Sequence, residues 1–501
     1  MRSWLLALMT LAMPAPAISA WHQASSAHFL IYANENPNKL RDFAVRLERF
    51  DQAVRALRNM DDLPPGAGNR VTIFVLKTDK DVRELANDKS GFVAGFYRPS
   101  AEGSVAFVPS RMEGESSEQD VLRIFLHEYA HHLMMQQLET PYPEWLVEGF
   151  AEFMSSAKFD RNGAVGLGLP AAHRAYGLLQ GPSLPLETLL SGKYDKITVG
   201  ERESIYGRGW LMSHYFVFAP DRKGQLESYL ASIAKGLDPL TAARNAFGDL
   251  KQLERDLDKY LRQANLKYWQ VKPGQFSPPA VAVTPLSAGA VQALPSLIQL
   301  RNGADKAKAE AVASTLRPGS TQYAGDLLFE TTLAQAELEA DHAEAAEAAA
   351  DRALKSNPQS TDAMLLKGRA IMDRAQNPDK FDRGQFAQAR QWFVKANKLD
   401  PEDPEPLMNF YYSYVYAGER PTANAIAALH YASNLAPQDP NLRVNSALRY
   451  LRDGKLAEAR LTLAPIAFDP HGRRTAEMAR AMITKIDAGD AKGAEKSAAG
   501  D

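Results

Sequence analysis

His127-Glu128-Tyr129-Ala130-His131 sets two imidazoles four positions apart with a carboxylate between them. On an α-helix such positions lie on one face about one 5.4 Å turn apart, so both rings can reach a single metal ion. Glu128 sits about 100° further round the same helix, beside the ion, where it can hold a water molecule. A second carboxylate, Glu148, follows within Trp145-Leu146-Val147-Glu148-Gly149-Phe150-Ala151 and can supply an oxygen ligand from another helix. Two histidines and a glutamate leave one coordination position open, as a hydrolytic zinc site requires; a structural site is usually closed by four protein ligands. Ile124, Phe125 and Leu126 before the run, and Leu133, Met134 and Met135 after it, predict that the helix is buried.

On these residues the chain resembles the gluzincin zinc metallopeptidases, the group containing thermolysin-like enzymes and aminopeptidase N relatives. The resemblance spans residues 120–155. It implies zinc held by His127, His131 and Glu148, with Glu128 as general base. Thermolysin-like enzymes place a carboxylate one helical turn after the glutamate ligand to orient a zinc histidine, which implies that role for Glu152. Aminopeptidase N relatives use a downstream tyrosine to stabilise the oxyanion; Tyr206 stands at a comparable remove, with Tyr194, Tyr215 and His214 as rivals. In the group, the edge strand before the active-site helix pairs with extended substrate. Ser104, Val105, Ala106, Phe107 and Val108 form the matching segment, an internal strand being the alternative. The amine-anchoring Gly-x-Met-Glu-Asn motif of aminopeptidases is absent, so the resemblance points to an endopeptidase. His132 points about 100° away from His131 and is not expected as a ligand. His28, His173, His342, His430 and His471 fall outside any ligand pattern and are expected to be structural or solvated.

The elements that must position these residues follow from periodicity. Strands are predicted at 28–32 and 71–76, and two more at 91–96 and 104–108; an amphipathic helix is predicted over 38–57. Helices then dominate: 118–138 with the histidines, a helix opening at Pro143 with Glu148 and Glu152, and further helices at 186–192, 206–218, 226–235 and 250–268. A small mixed sheet followed by a helical subdomain is the α+β order of the gluzincins. Residues 271–290, with Pro273, Pro278, Pro279 and Pro285, are expected to be a linker. The catalytic set lies wholly before it, so a chain ending near Lys272 is expected to fold and bind zinc.

Beyond the linker the sequence repeats. Ala346/Ala353/Pro358, Ala389/Ala396/Pro401 and Ala425/Ala432/Pro437 share one spacing, with Phe393 and Leu429 between the alanines of the last two units. This resembles the second helix of tetratricopeptide repeats, where small residues let helices approach and proline stops the second helix. A looser unit runs through Ala457, Ala459 and Leu463 to Pro470, and residues 377–384 form an insertion. An all-α repeat domain is therefore expected over 291–486, with a disordered tail from 487 to 501.

Composition narrows the classes. At 501 residues the chain is long for one core. A net charge of −2 without a Lys/Arg run excludes an electrostatic nucleic-acid or membrane-surface footprint. The absence of cysteine excludes disulfides, thiol nucleophiles and cysteine zinc sites. Arg2, the apolar stretch from Trp4 to Met13 and the small residues through Ala20 read as a signal peptide over 1–20, cut near residues 17–20. The apolar stretch falls short of the ~20 residues a spanning helix needs, so no integral membrane anchor is expected. The expected protein is an exported, periplasmic or secreted, zinc endopeptidase with one Zn²⁺ per chain, acting on a peptide or protein substrate. Its repeats would bind a protein partner or that substrate. Two alternatives are a catalytically silent scaffold and a zinc hydrolase of a non-peptide amide or ester.

Overall fold

The structure, a computed structural model, describes residues 21–499 apart from 62–64, 90–92, 94, 112–117, 137–141, 195, 276–278, 378, 380, 468 and 470–471. Residues 1–20, His471 and Pro470 lie outside the described residues. The chain opens with β1 (Trp21–Ser25), β2 (Phe29–Asn34), α1 (Pro37–Arg58), β3 (Val71–Leu76), α2 (Asp79–Leu85), β4 (Phe96–Arg98) and β5 (Val105–Pro109). Next come α3 (Glu118–Met135), α4 (Glu144–Ser155), β6 (Lys158–Phe159), β7 (Val165–Leu167), α5 (Ala175–Leu179), α6 (Leu186–Ser191), α7 (Val199–Phe218), α8 (Gln225–Ala234), α9 (Pro239–Phe247) and α10 (Leu250–Leu261). β8 (Trp269–Val271) and β9 (Ala282–Pro285) complete this part.

β3 is rich in β-branched and aromatic residues, which suit a pleated, buried surface, and it lies inside a six-stranded mixed sheet of order β4-β5-β3-β2-β1-β9. β2, β3 and β5 run parallel, while β4, β1 and β9 are antiparallel to their neighbours. Alternation splits each strand between two faces. Ile31, Ile73, Ala106 and Val108 meet α1 and α3 in the main core, together with Leu40, Ala44, Leu47, Phe50, Phe125 and Tyr129. On the other face one register line aligns Tyr32, Phe74, Phe107 and Phe96. Their rings form a ladder with centroids 5.5, 5.5 and 4.8 Å apart, a separation at which aromatic pairs attract.

Three expectations change here. Ser104–Val108 is not the sheet edge: β5 is flanked by β4 and β3, and Ser104, Val105, Ala106 and Phe107 are all buried. Among the described residues the edge on this side is β4, which the strand expected at 91–96 overlaps only at Phe96; residues 91, 92 and 94 of that expectation lie outside the described residues. The linker is not a free spacer either. Ala282–Pro285 pairs with β1 from His22↔Pro285 to Ser25↔Ala282, on an edge where a proline's missing N–H is tolerated. The 487–501 tail carries a helix, its alanine and lysine content favouring that state. Ala494 is fully buried there beside Ala479, Met482 and Ile486.

The remainder is helical: α11 (Ala288–Arg301), α12 (Lys306–Leu316), α13 (Leu327–Glu339), α14 (Ala343–Ser356), α15 (Thr361–Ala375), α16 (Arg383–Leu399), α17 (Pro404–Tyr416), α18 (Ala423–Leu435), α19 (Pro440–Arg452), α20 (Leu456–Ala467), α21 (Arg473–Asp487) and α22 (Ala491–Ala499). The predicted alanine pairs fall on α14, α16 and α18, with the proline of each unit just past the helix end; Ala346, Ala353, Ala389, Ala396, Ala425 and Ala432 are fully buried. Each lets its helix lie close to the preceding one, and successive pairs stack along the chain as in a helical repeat array. The first helix of the array also closes the sheet: Leu294 of α11 is buried with Tyr32, Phe74, Val105 and Phe107, and Leu297 and Ile298 pack beside it. The sheet's second face is therefore completed by the repeat domain. No helix among the described residues is long and apolar enough to cross a membrane.

Candidate metal centre

α3 and α4 carry the motif residues and pack against each other. His127 Nε2 and His131 Nε2 are 3.2 Å apart. Glu148 Oε2 lies 3.3 Å from the first and 3.6 Å from the second. Three donors on a tetrahedral ion with bonds of about 2.0–2.1 Å stand about 3.3 Å from one another, so this triangle has the dimensions zinc needs. Among the described residues His127, His131 and Glu148 are the one group of three with donors close enough for a shared ion.

The electrostatics also suit a dication. Burial opposes a charge on His127, but Glu148 and Glu152 outweigh it and push its pKa up to about 10. Two buried carboxylates thus place more negative potential here than neutral imidazoles offset. Glu152 Oε1 is 3.4 Å from His127 Nδ1, which turns His127 Nε2 toward the other donors. Arg174 Nη2 donates to Glu152 Oε1 at 2.6 Å, and His173 Nε2 lies 2.6 Å from Oε2. Burial favours the neutral acid at Glu152, yet its contacts to His127 and His173 and the Arg174 charge hold it well below the usual carboxylate range. His173 is therefore a member of the centre and not an unrelated structural or solvated side chain. Neither His173 nor Arg174 shows a sequence signal, because they sit on a short 3-10 turn with no period that ties them to α4.

Glu128 is half-buried on α3, next to the ligand face. Tyr206 comes from α7, its ring centroid 6.0 Å from that of His127 and the Arg174 guanidinium over the ring at 4.8 Å. Burial, then the charge of Glu148, raises its pKa above the usual phenol range, so it remains a proton donor. Its rivals are committed elsewhere. Tyr194 donates to Leu189 O at 2.6 Å, and Tyr215 accepts from Arg222 at 3.3 Å. His214 is fully buried between the Tyr260 hydroxyl and Lys267 O, at 2.8 and 2.9 Å, and burial takes it down to about 4. His132 faces away as predicted: its Nδ1 meets the Tyr97 hydroxyl at 2.7 Å, and burial lowers it to about 3.

α7 reaches the centre through a backbone-to-backbone crossing with α4. A Cβ on Gly149 would lie 2.2 Å from the Gly209 carbonyl carbon, and one on Gly209 would lie 2.3 Å from Trp145 O. Both neighbours are main chain, so the helices themselves would have to separate. Gly209→Ala is expected to cost about 3 kcal/mol, the upper part of the usual range for overpacking. By moving Glu148 and Glu152 it should also weaken any metal binding at the candidate centre. Thermal melts and competitive zinc titration check both, and an unchanged melting temperature would refute the crossing. Glycines inside two apolar helical stretches are the available signal in the sequence, though their partnership is tertiary.

No protein-family model matches the chain, and no curated protein does. Among solved structures, a thermophilic tetratricopeptide-repeat protein of Thermus thermophilus aligns at 18% identity, with a TM-score of 0.33, over 38% of this chain and 97% of its own.

Proposed function

We propose that the chain is a zinc-dependent endopeptidase. The observation that carries the reading is the triangle of His127, His131 and Glu148 donors at 3.2, 3.3 and 3.6 Å beside a half-buried Glu128. Zinc in such a set supplies Lewis acidity, lowering the pKa of water and polarising a carbonyl. Glu128 takes the proton of the attacking water and hands it to the leaving amine. Tyr206 donates its hydroxyl to the oxyanion that develops on the carbonyl oxygen. Glu152, held by His173 and Arg174, keeps His127 turned to the metal. β4, as the sheet edge, offers the main-chain groups that an extended peptide would pair with, in place of the internal Ser104–Phe107 segment. On the repeats, Val394, Leu407, Phe410 and Tyr431 line one open groove, a contiguous apolar surface that supports a protein partner there. Export with removal of residues 1–20 accords with the apolar stretch from Trp4 to Met13.

The test is proteolysis of casein by the zinc-loaded protein with and without a chelator. Cleavage lost on chelation and restored by zinc is expected. Cleavage of aryl esters alone would favour the non-peptide hydrolase, and loss of all turnover with zinc retained would favour a scaffold. For Tyr206→Phe, kcat is expected to fall by about 10² to 10³, the usual cost of one oxyanion donor. Zinc content and melting temperature should hardly change, because the ring and its packing remain. A normal kcat in the zinc-replete variant would remove Tyr206 from the mechanism.

A further inference from the structure

The turn between β4 and β5, residues 99–104, does not end in solvent. Ala101 is fully buried in an apolar cluster with Met408, Tyr411, Leu429 and Leu442 of α17, α18 and α19. Its N–H donates to Asp439 Oδ2 at 2.8 Å. Gln438 Nε2 donates to Ser104 Oγ at 3.3 Å. From the first helix of the array, Arg301 at the close of α11 donates to Glu102 O at 2.9 Å and to Gly103 O at 2.8 Å. Arg369 of α15 pairs with the Glu102 carboxylate at 3.5 Å. Gly103 has φ +91°, and a Cβ there would lie 2.7 Å from the Arg301 guanidinium. A glycine at this point allows both the left-handed turn and the approach of the arginine.

Separate helices and turns of the array therefore grip one short turn of the other domain. What they grip is the hairpin whose outer strand is the sheet edge. That strand is tied in turn to the motif helix, since Tyr97 of β4 meets His132, the neighbour of His131. We propose that the repeat array is an intramolecular clamp, with Arg301, Arg369, Gln438 and Asp439 as positioning residues that hold β4 in place to receive an extended peptide. The consequence for turnover rests on the peptidase reading; the clamp itself does not.

The clamp predicts an effect on binding extended substrate and little on the metal or the chemistry. Arg301→Met keeps the aliphatic stem, and Asp439→Ser keeps a side-chain oxygen to cap α19, where Asp439 Oδ1 now accepts from Leu442 N at 2.9 Å. In the double variant of the full chain, amide exchange from Phe96 to Ala101 should quicken by about tenfold or more, on the order of a lost local hydrogen-bonded unit. KM for a long peptide should rise about tenfold with kcat nearly unchanged, the signature of lost uniform binding. Zinc affinity and hydrolysis of a blocked dipeptide should stay at parental values. Unchanged exchange and unchanged KM would overturn the clamp, as would an equal loss on the long and the short substrate. Should the double variant not fold, Gln438→Met removes only the Ser104 contact and supports the same exchange measurement. A parent protein that hydrolyses no peptide, with exchange still faster in the variant, would sink the peptidase reading and leave the clamp standing.

Discussion

Glu128→Gln is expected to bind zinc to the same level as the parent, about one per chain on the proposed reading, since it alters no member of the open three-ligand set. Its peptide turnover should fall by about 10² to 10⁴, the usual worth of a positioned general base. The amide is nearly the same size as the carboxylate, and Glu128 is only half-buried, so folding should be unaffected. His127→Ala, His131→Ala and Glu148→Ala should show the opposite pattern, losing zinc and turnover together. Metal analysis and single-substrate kinetics on the same preparations separate the two patterns. A Glu128→Gln protein as fast as the parent would rule out the mechanism, and full zinc occupancy in all three alanine variants would rule out the site.

The contacts of β9 and α11 with the sheet reverse the expectation that a chain ending near Lys272 folds and binds zinc: it should not fold, although every proposed catalytic residue precedes that point. The cut removes β9, leaving β1 as an open edge in place of its pairing from His22 to Ser25. It also removes Leu286, Leu294, Leu297 and Ile298 from the sheet's second face. Tyr32, Phe74, Val105 and Phe107 are each nearly inaccessible to solvent in the whole chain. Exposing large apolar side chains costs about 1.5–3 kcal/mol apiece, so these four account for about 6–12 kcal/mol. That is comparable to the ~5–15 kcal/mol by which a domain is usually stable. The newly bare edge and face together also invite aggregation. A soluble monomer with a cooperative thermal transition from the 272-residue chain would show that the sheet can stand without the array.

Some of this protein is written in local sequence. The i, i+4 histidines fix a shared helix face whatever the surroundings, because helix geometry alone sets their separation. Glu148 and Glu152 are likewise one turn apart on α4, and the structure brings both to His127. The β-branched run of β3 and the alanine spacing of α14, α16 and α18 are legible for the same reason: each is a period that a regular element imposes.

What the sequence could not supply are partnerships between elements that no period links. β9 is extended because β1 offers it an edge, while its Ala-Val-Thr-Pro composition reads as linker. A strand before β5 is legible, but the expected 91–96 meets β4 only at Phe96, and which of the two strands is the edge depends on β3 pairing with β5. Tyr206 and Tyr215 stand nine residues, about 180°, apart on α7, but which of them faces the centre depends on α4 packing against the Gly209 side of that helix. His173 and Arg174 become partners of Glu152 only through the course of the chain between α4 and α7. Local sequence determined which side chains could bind a metal; close approach of distant segments decided which others surround it, and that depends on surfaces meeting in three dimensions, which spacing along the chain does not encode.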